Sequence, residues 1–155
     1  MSREAQDESL VIEETWNLRY RYSSGPVTGY FLRSLAEGRI MGRRCPGCRV
    51  VWLPPRAYCE RCFIPTVEWV PVGPEGVIEA CTIVNFKIPN LPDPPYAIAI
   101  CRLDGADTGL LNFLDVRIDD IETVMTRLRP GARVRVKFRQ NRSARITDFC
   151  FELVE

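Results

Sequence analysis

Four cysteines form the chemical centre of this sequence. Cys45-Pro46-Gly47-Cys48 is followed, after ten intervening residues, by Cys59-Glu60-Arg61-Cys62. Each Cys-x-x-Cys turn places two thiolates close enough to share one ion, and two such turns facing each other close a tetrahedral shell of four sulfurs. That shell is the geometry of structural zinc. Iron fits the same sulfurs, and residue types alone leave the choice open. Four unrelated thiols or two disulfides are the plain alternatives, and the spacing argues against both. Four protein ligands leave no open coordination position, so the ion is expected to hold structure rather than do chemistry. Gly47 can take the positive φ that a tight turn often needs.

The other reactive types are as informative by their absence. The 155 residues include seven cysteines and no histidine. A Ser-His-Asp triad, a Cys-His dyad and a His-ligated catalytic zinc are therefore impossible within these residues. Acyl chemistry would need catalytic groups from another polypeptide. Cys81, Cys101 and Cys150 fall in β-patterned segments, where a thiol acts as a small hydrophobe, and no histidine is present to serve as their base. The net charge of +1 creates no bulk field toward nucleic acid or membrane. No apolar run approaches the roughly 20 residues that span a bilayer. The polar, acidic start from Met1 to Glu14 lacks the basic and apolar regions of a signal peptide. A cytoplasmic setting with reduced thiols is the expectation.

These residues must be positioned by a small set of elements. An extended N-terminal arm is expected over 1–25, with a loose tail to residue 14 and Trp16, Leu18, Tyr20 and Tyr22 alternating along one face. The arm is either an edge strand on its own domain or a segment laid on a partner. Residues 26–70 hold a helix and the ribbon. Ser24 and Pro26 give a start signal and Gly38 a stop, which predicts a helix over 26–37. The ribbon is expected to end near Pro65, with Trp52 as the lid of a core too small to fold without its ion. Residues 71–155 carry β patterns at Val77–Phe86, Tyr96–Leu103, Leu110–Val116, Ala132–Arg139 and Arg145–Leu153. A helix at Asp119–Leu128 separates the third from the fourth, with Asp119 and Glu122 as a capping pair and Ile121, Val124, Met125 and Leu128 as its apolar stripe. This is the element order of a five-stranded OB-fold barrel. The fold class is mainly β (α+β): an N-terminal helix, a rubredoxin-like zinc ribbon and a C-terminal OB-fold.

With these residues in view, the chain resembles the family first named domain of unknown function 35. The matching features begin with Leu35-Ala36-Glu37-Gly38, the Arg44–Cys48 knuckle, Pro54-Pro55-Arg56 and the Cys59–Cys62 knuckle. Trp69, Gly73 to Gly76, Pro95-Tyr96, Leu103-Asp104-Gly105 and Pro130-Gly131 follow. Arg49 stands where the family often has glycine. The resemblance implies a small subunit that binds a thiolase-like catalytic partner. The settings are acetoacetyl-CoA thiolase with hydroxymethylglutaryl-CoA synthase, steroid side-chain aldolases, and thiolases acting on aromatic acyl-CoA. It implies a hetero-oligomer in which this chain stabilises the partner and helps form a coenzyme A or acyl channel, while the catalytic residues lie on the partner.

Two stretches are candidates for that channel. The proline-rich loop from Phe86 to Tyr96 is stiff, loses little entropy on docking, and presents Phe86, Lys87, Asn90 and Tyr96. Arg133 and Arg135, on a basic strand face continued by Lys137 and Arg139, suit the phosphates of coenzyme A. The plain reading of the first is a surface loop and of the second a solvated strand face. Nucleic acid ranks below coenzyme A, since no aromatic side chain is interleaved on the basic face to stack bases. An OB-fold nucleic-acid module and a rubredoxin-like electron carrier remain the alternative functions.

Overall fold

The computed structural model describes residues 11–16 and 18–154. Most of the expected polar tail, residues 1–10, lies outside the described residues. The chain forms α1 (Gly25–Ala36), β1 (Met41–Arg44), β2 (Val51–Trp52), β3 (Glu68–Pro71), β4 (Glu75–Val84), β5 (Tyr96–Leu103), β6 (Leu110–Asp115), α2 (Ile121–Arg127), β7 (Arg133–Phe138) and β8 (Phe149–Leu153). A 3-10 turn, Ile146–Asp148, precedes β8.

The first three strands make an antiparallel sheet in the order β2-β1-β3. The ribbon therefore does not end near Pro65. Met41 to Arg44 pair with Pro71 to Glu68, so the chain returns to the ribbon sheet before it enters the barrel. The last five strands close in the order β4-β5-β6-β8-β7, with β4 pairing back to β7 and β6 parallel to β8. This is the OB-type barrel, with α2 between its third and fourth strands. A register shift between Ile78 and Ala80 bends β4 as closure requires.

Helix α1 forms where its stop signal places it. Gly38 has φ +75, and the amides of Glu37 and Gly38 bond back to carbonyls of the last turn. Its buried face, Phe31 and Leu35, packs into the same core as Val134, Phe149 and Phe151 of the barrel. Arg142, from the loop before β8, donates to the Ala36 carbonyl at 2.8 Å and fixes the helix end. Helix α2 is shorter than expected, and its N-cap is Asp120, which accepts from the Thr123 amide at 2.9 Å, not Asp119. Only Val124 and Leu128 of its apolar stripe are buried, while Ile121 and Met125 stay about 40 % and 39 % exposed. A helix this short touches the barrel along one turn and cannot bury both sides of the stripe.

The arm is not an edge strand. Residues 11–16 and 18–24 form no strand, and Trp16, Leu18, Tyr20 and Tyr22 are 72–79 % exposed. The closed barrel offers them no free edge. A second apolar surface lies on the barrel wall. Strand β5 turns its small residues, Ala97, Ala99 and Cys101, inward and leaves Ile98 and Ile100 outside beside Leu111.

Candidate metal centre

The two cysteine turns face each other across the end of the β1–β2 ribbon and are built alike. Cys45 donates its amide to Val50 and accepts from the Arg49 amide; Cys59 donates to Ile64 and accepts from the Phe63 amide, all at 2.9–3.1 Å. In each turn the residue after the second cysteine takes the left-handed conformation, Arg49 at φ 67 and Phe63 at φ 56. The positive φ thus falls on Arg49 and Phe63 and not on Gly47. Arg49 takes this conformation with a side chain, and the hydrogen bonds of the first turn match those of the second. Gly47 serves for space instead: a Cβ there would sit 3.1 Å from Ile64 Cδ1 and 3.4 Å from Cys62 Sγ.

The four Sγ atoms lie within 4.8 Å of one another, with Cys48 and Cys59 at 3.6 Å. A tetrahedral ion with bonds of about 2.3 Å holds its sulfurs roughly 3.8 Å apart, so the donor set fits. Cys45 and Cys59 are fully buried and pack with Val50 and Trp52 in a cluster separate from the main core. Trp52 is the lid, and the Arg56 guanidinium lies 5.7 Å over its ring. Burial raises the Cys59 thiol, but hydrogen bonds from the amides of Cys62 and Arg61 and from the Cys48 and Cys45 thiols outweigh it and bring it to about 6. The Cys62 thiol is pushed up to about 12, first by its hydrogen bond with Cys48 and then by burial. Thiols bind a cation as thiolates, so the four sulfurs would hold a divalent ion with release of protons.

The ribbon is stapled to the barrel through the turn after β5. The Val51 amide donates to Asp107 Oδ2 at 2.7 Å, and the Leu53 amide donates to Thr108 Oγ1 at 2.7 Å. The Thr108 hydroxyl donates back to the Leu53 carbonyl at 2.8 Å. These contacts satisfy the edge of β2 and fix the metal module on the barrel.

The structure separates the expected channel residues into two groups. Val77 of β4 pairs with Arg133, and Val84 of the same strand pairs with Tyr96; these positions are roughly 20 Å apart along a strand. Arg133 bonds Glu75 at 2.9 Å and Asp104 at 3.0 Å, and Arg135 bonds Glu75 at 3.2 Å. Those guanidiniums hold both carboxyls below their usual range. In the loop, Phe86 is 67 % exposed, Lys87 pairs with Asp93, and Asn90 takes φ 64. Tyr96 opens β5 and lines a cavity of about 390 Å³ with Pro92, Pro95, Phe113, Asp115 and Arg139. Sequence reasoning placed Arg139 on the basic face but not beside Tyr96. No local signal could have joined them, because only barrel closure through β6 and β8 brings them to one cavity.

Comparison with known proteins follows the two modules. A family model described as the rubredoxin-like zinc ribbon domain of ChsH2 matches residues 33–68. A second, the C-terminal OB-fold domain of ChsH2, matches residues 69–139. A search of curated proteins gave no match. A crystal structure of a DUF35-family protein of unknown function from Sulfolobus solfataricus is 23 % identical, with a TM-score of 0.62 over 84 % of this chain and 87 % of that one. The Ltp2-ChsH2(DUF35) aldolase structure is 18 % identical, with a TM-score of 0.64 over 86 % of this chain and 98 % of that one. At these identities the structural likeness shows the fold.

Proposed function

Since the chain belongs to the ChsH2 family of paired rubredoxin-like zinc-ribbon and OB-fold domains, we propose that it is a non-catalytic, zinc-binding accessory subunit of a thiolase-superfamily complex acting on acyl-CoA. The observation that carries this reading is the pairing of the two family domains on one chain, 33–68 and 69–139, with a closed four-cysteine site between helix and barrel. A solved relative of the same fold is a ChsH2(DUF35) chain with Ltp2 in an aldolase. The absence of histidine agrees with a division of labour in which the partner supplies the acid–base groups.

In this role the ion cross-links the two cysteine turns and leaves no position for substrate. Cys45, Cys48, Cys59 and Cys62 hold it, Trp52 shields it, and Asp107 and Thr108 lock the ribbon to the barrel. The partner covers the surfaces this chain leaves apolar: the arm with Trp16, Leu18, Tyr20 and Tyr22, and the outer wall with Ile100 and Leu111. The loop with Phe86, Lys87, Asn90 and Tyr96 forms one wall of the acyl-CoA channel, for an aromatic or steroid acyl group. Arg133 and Arg135 reach coenzyme A phosphates only by exchanging their bonds to Glu75 and Asp104. The complex works in the cytoplasm, where the seven free thiols stay reduced.

Affinity capture of the tagged chain from its native cells, with metal analysis of the same sample, tests the reading. Recovery of a thiolase-like protein, with about one zinc per chain as one closed site requires, is the expected result. Acyl-CoA cleavage by the purified chain alone overturns it. Salt-sensitive binding to oligonucleotides would favour the nucleic-acid module, and a red, iron-loaded protein the electron carrier.

A further inference from the structure

Two buried donors on one face of the ribbon sheet lack acceptors. Arg43 of β1 pairs with Trp52 of β2 on one side and with Trp69 of β3 on the other, so the three side chains share a face. Trp52 packs with Cys45, Val50 and Cys59, which makes this the face toward the metal centre, while Val51 turns to the barrel core. The indole Nε1 of Trp52 and the Nε of Arg43 are both buried and without a hydrogen-bond partner among the described residues. Buried donors are nearly always bonded, so these two call for an acceptor. The charges on this face are uneven as well. Arg56, 5.7 Å over the Trp52 ring, has Glu60 as its carboxylate at 2.5 Å. Arg43, 5.1 Å over the Trp69 ring, has no ion pair among the described residues. The face is rich in donors and short of negative charge.

We propose that a metal-bound sulfur of Cys45 or Cys59 is the acceptor that the Trp52 indole N–H lacks. A thiol is a weak acceptor, whereas a thiolate accepts strongly. Four thiolates around a divalent ion leave the centre with net negative charge in a buried setting, which is costly unless donors and cations face it. The indole N–H supplies the donor, and Arg43 brings an uncompensated positive charge to the same face. Trp52 is then more than an apolar lid. It holds a ligand sulfur in place and stabilises its charged form, as outer hydrogen bonds do at metal sites generally. The inference rests on the four-cysteine site of the reading above and not on the identity of a partner.

Nuclear magnetic resonance of the full chain loaded with spin-active cadmium provides the direct test. One indole N–H proton should show scalar coupling to the metal through the sulfur, and Trp52→Phe should remove that resonance and leave those of Trp16 and Trp69. The same variant keeps an aromatic lid and loses only the donor. It should weaken zinc about 10–100-fold in chelator competition. In the cobalt(II)-loaded chain it should move the sulfur-to-metal charge-transfer band to longer wavelength, because a sulfur freed of its hydrogen bond gives up electron density more easily; a lid that only packs would not move that band. Trp69→Phe, on the same face but stacked on Tyr30 at 4.2 Å, should change neither. A cadmium-loaded chain with no coupled indole proton overturns the proposal, and so does a Trp52→Phe variant with unchanged zinc affinity and cobalt band. If that variant does not fold, the coupling in the unaltered chain still decides. Ion binding without the coupling leaves the accessory-subunit reading standing, whereas a chain that takes up no ion overturns the inference and the metal site together.

Discussion

The ribbon and the barrel are both antiparallel in the main, yet they are held by different forces. The ribbon's own core is Cys45, Val50, Trp52 and Cys59, a cluster too small to offset chain entropy, so its stability passes through the metal. The barrel core runs from Phe31 and Leu35 of α1 to Phe149 and Phe151 of β8 and needs no ion. Between them lies a shared layer: Val51 and Leu53 leave the ribbon to join the barrel core, and Asp107 and Thr108 reach back. The comparison teaches that the boundary in sequence is not a boundary in packing. Half of β2 faces the ion and half faces the barrel.

The strongest way to break this contrast is to remove the ion. Chelation, or Cys45→Ser with Cys59→Ser, should abolish metal binding and change Trp52 fluorescence while far-UV circular dichroism keeps the barrel signal, with a lower melting temperature from the lost staple. Simultaneous loss of both signals would show one cooperative unit instead of two. Next in size, Phe149→Ala removes a fully buried ring at the centre of the barrel and should cost about 3–5 kcal/mol in urea unfolding. Metal content per folded chain should not change, and a metal loss that tracks the barrel would erase the distinction.

A smaller effect separates polar from apolar support within the barrel. Asp148 is buried and accepts from the amides of Ser143 and Arg145. Burial raises its pKa, but the bonds from the Arg145, Ser143 and Ala144 amides outweigh it and leave the carboxyl below its usual value. A depressed folded value means that the stabilisation is present above the unfolded pKa of about 3.9 and is lost as pH falls through the folded one. Asp148→Asn should cost about 1–3 kcal/mol at neutral pH and flatten the acid limb of a melting-temperature profile below pH ~4. The smallest effect sharpens the ribbon side. Arg49 holds φ 67 with a side chain, so Arg49→Gly should raise the stability of the metal-loaded ribbon by at most about 1 kcal/mol, net of the entropy glycine adds to the unfolded chain. Chelator competition would measure it.

Local pattern carried much of the ribbon. The two Cys-x-x-Cys turns named their ligands, and the Pro26 and Gly38 signals bounded α1 within a residue of Gly25–Ala36. The β patterns gave five strands and the helix between the third and fourth. Chemistry that depends on one neighbour was less legible. Asp119 and Asp120 look equivalent in sequence, and only the geometry of the first turn made Asp120 the cap. Gly47 looked like a conformational choice and is a steric one, because the atoms that crowd it, Ile64 and Cys62, come from the other turn.

The amino-acid sequence by itself determined the metal-ligand set, the element order and the exclusion of histidine chemistry, because each is a property of residue type and short spacing. The tertiary structure alone decided that β3 returns to the ribbon, that Arg133 and Arg135 spend their charge on Glu75 and Asp104, and that Arg139 shares a cavity with Tyr96. These depend on which strands meet when the barrel closes, and pairings between residues tens of positions apart leave no periodic trace in the chain.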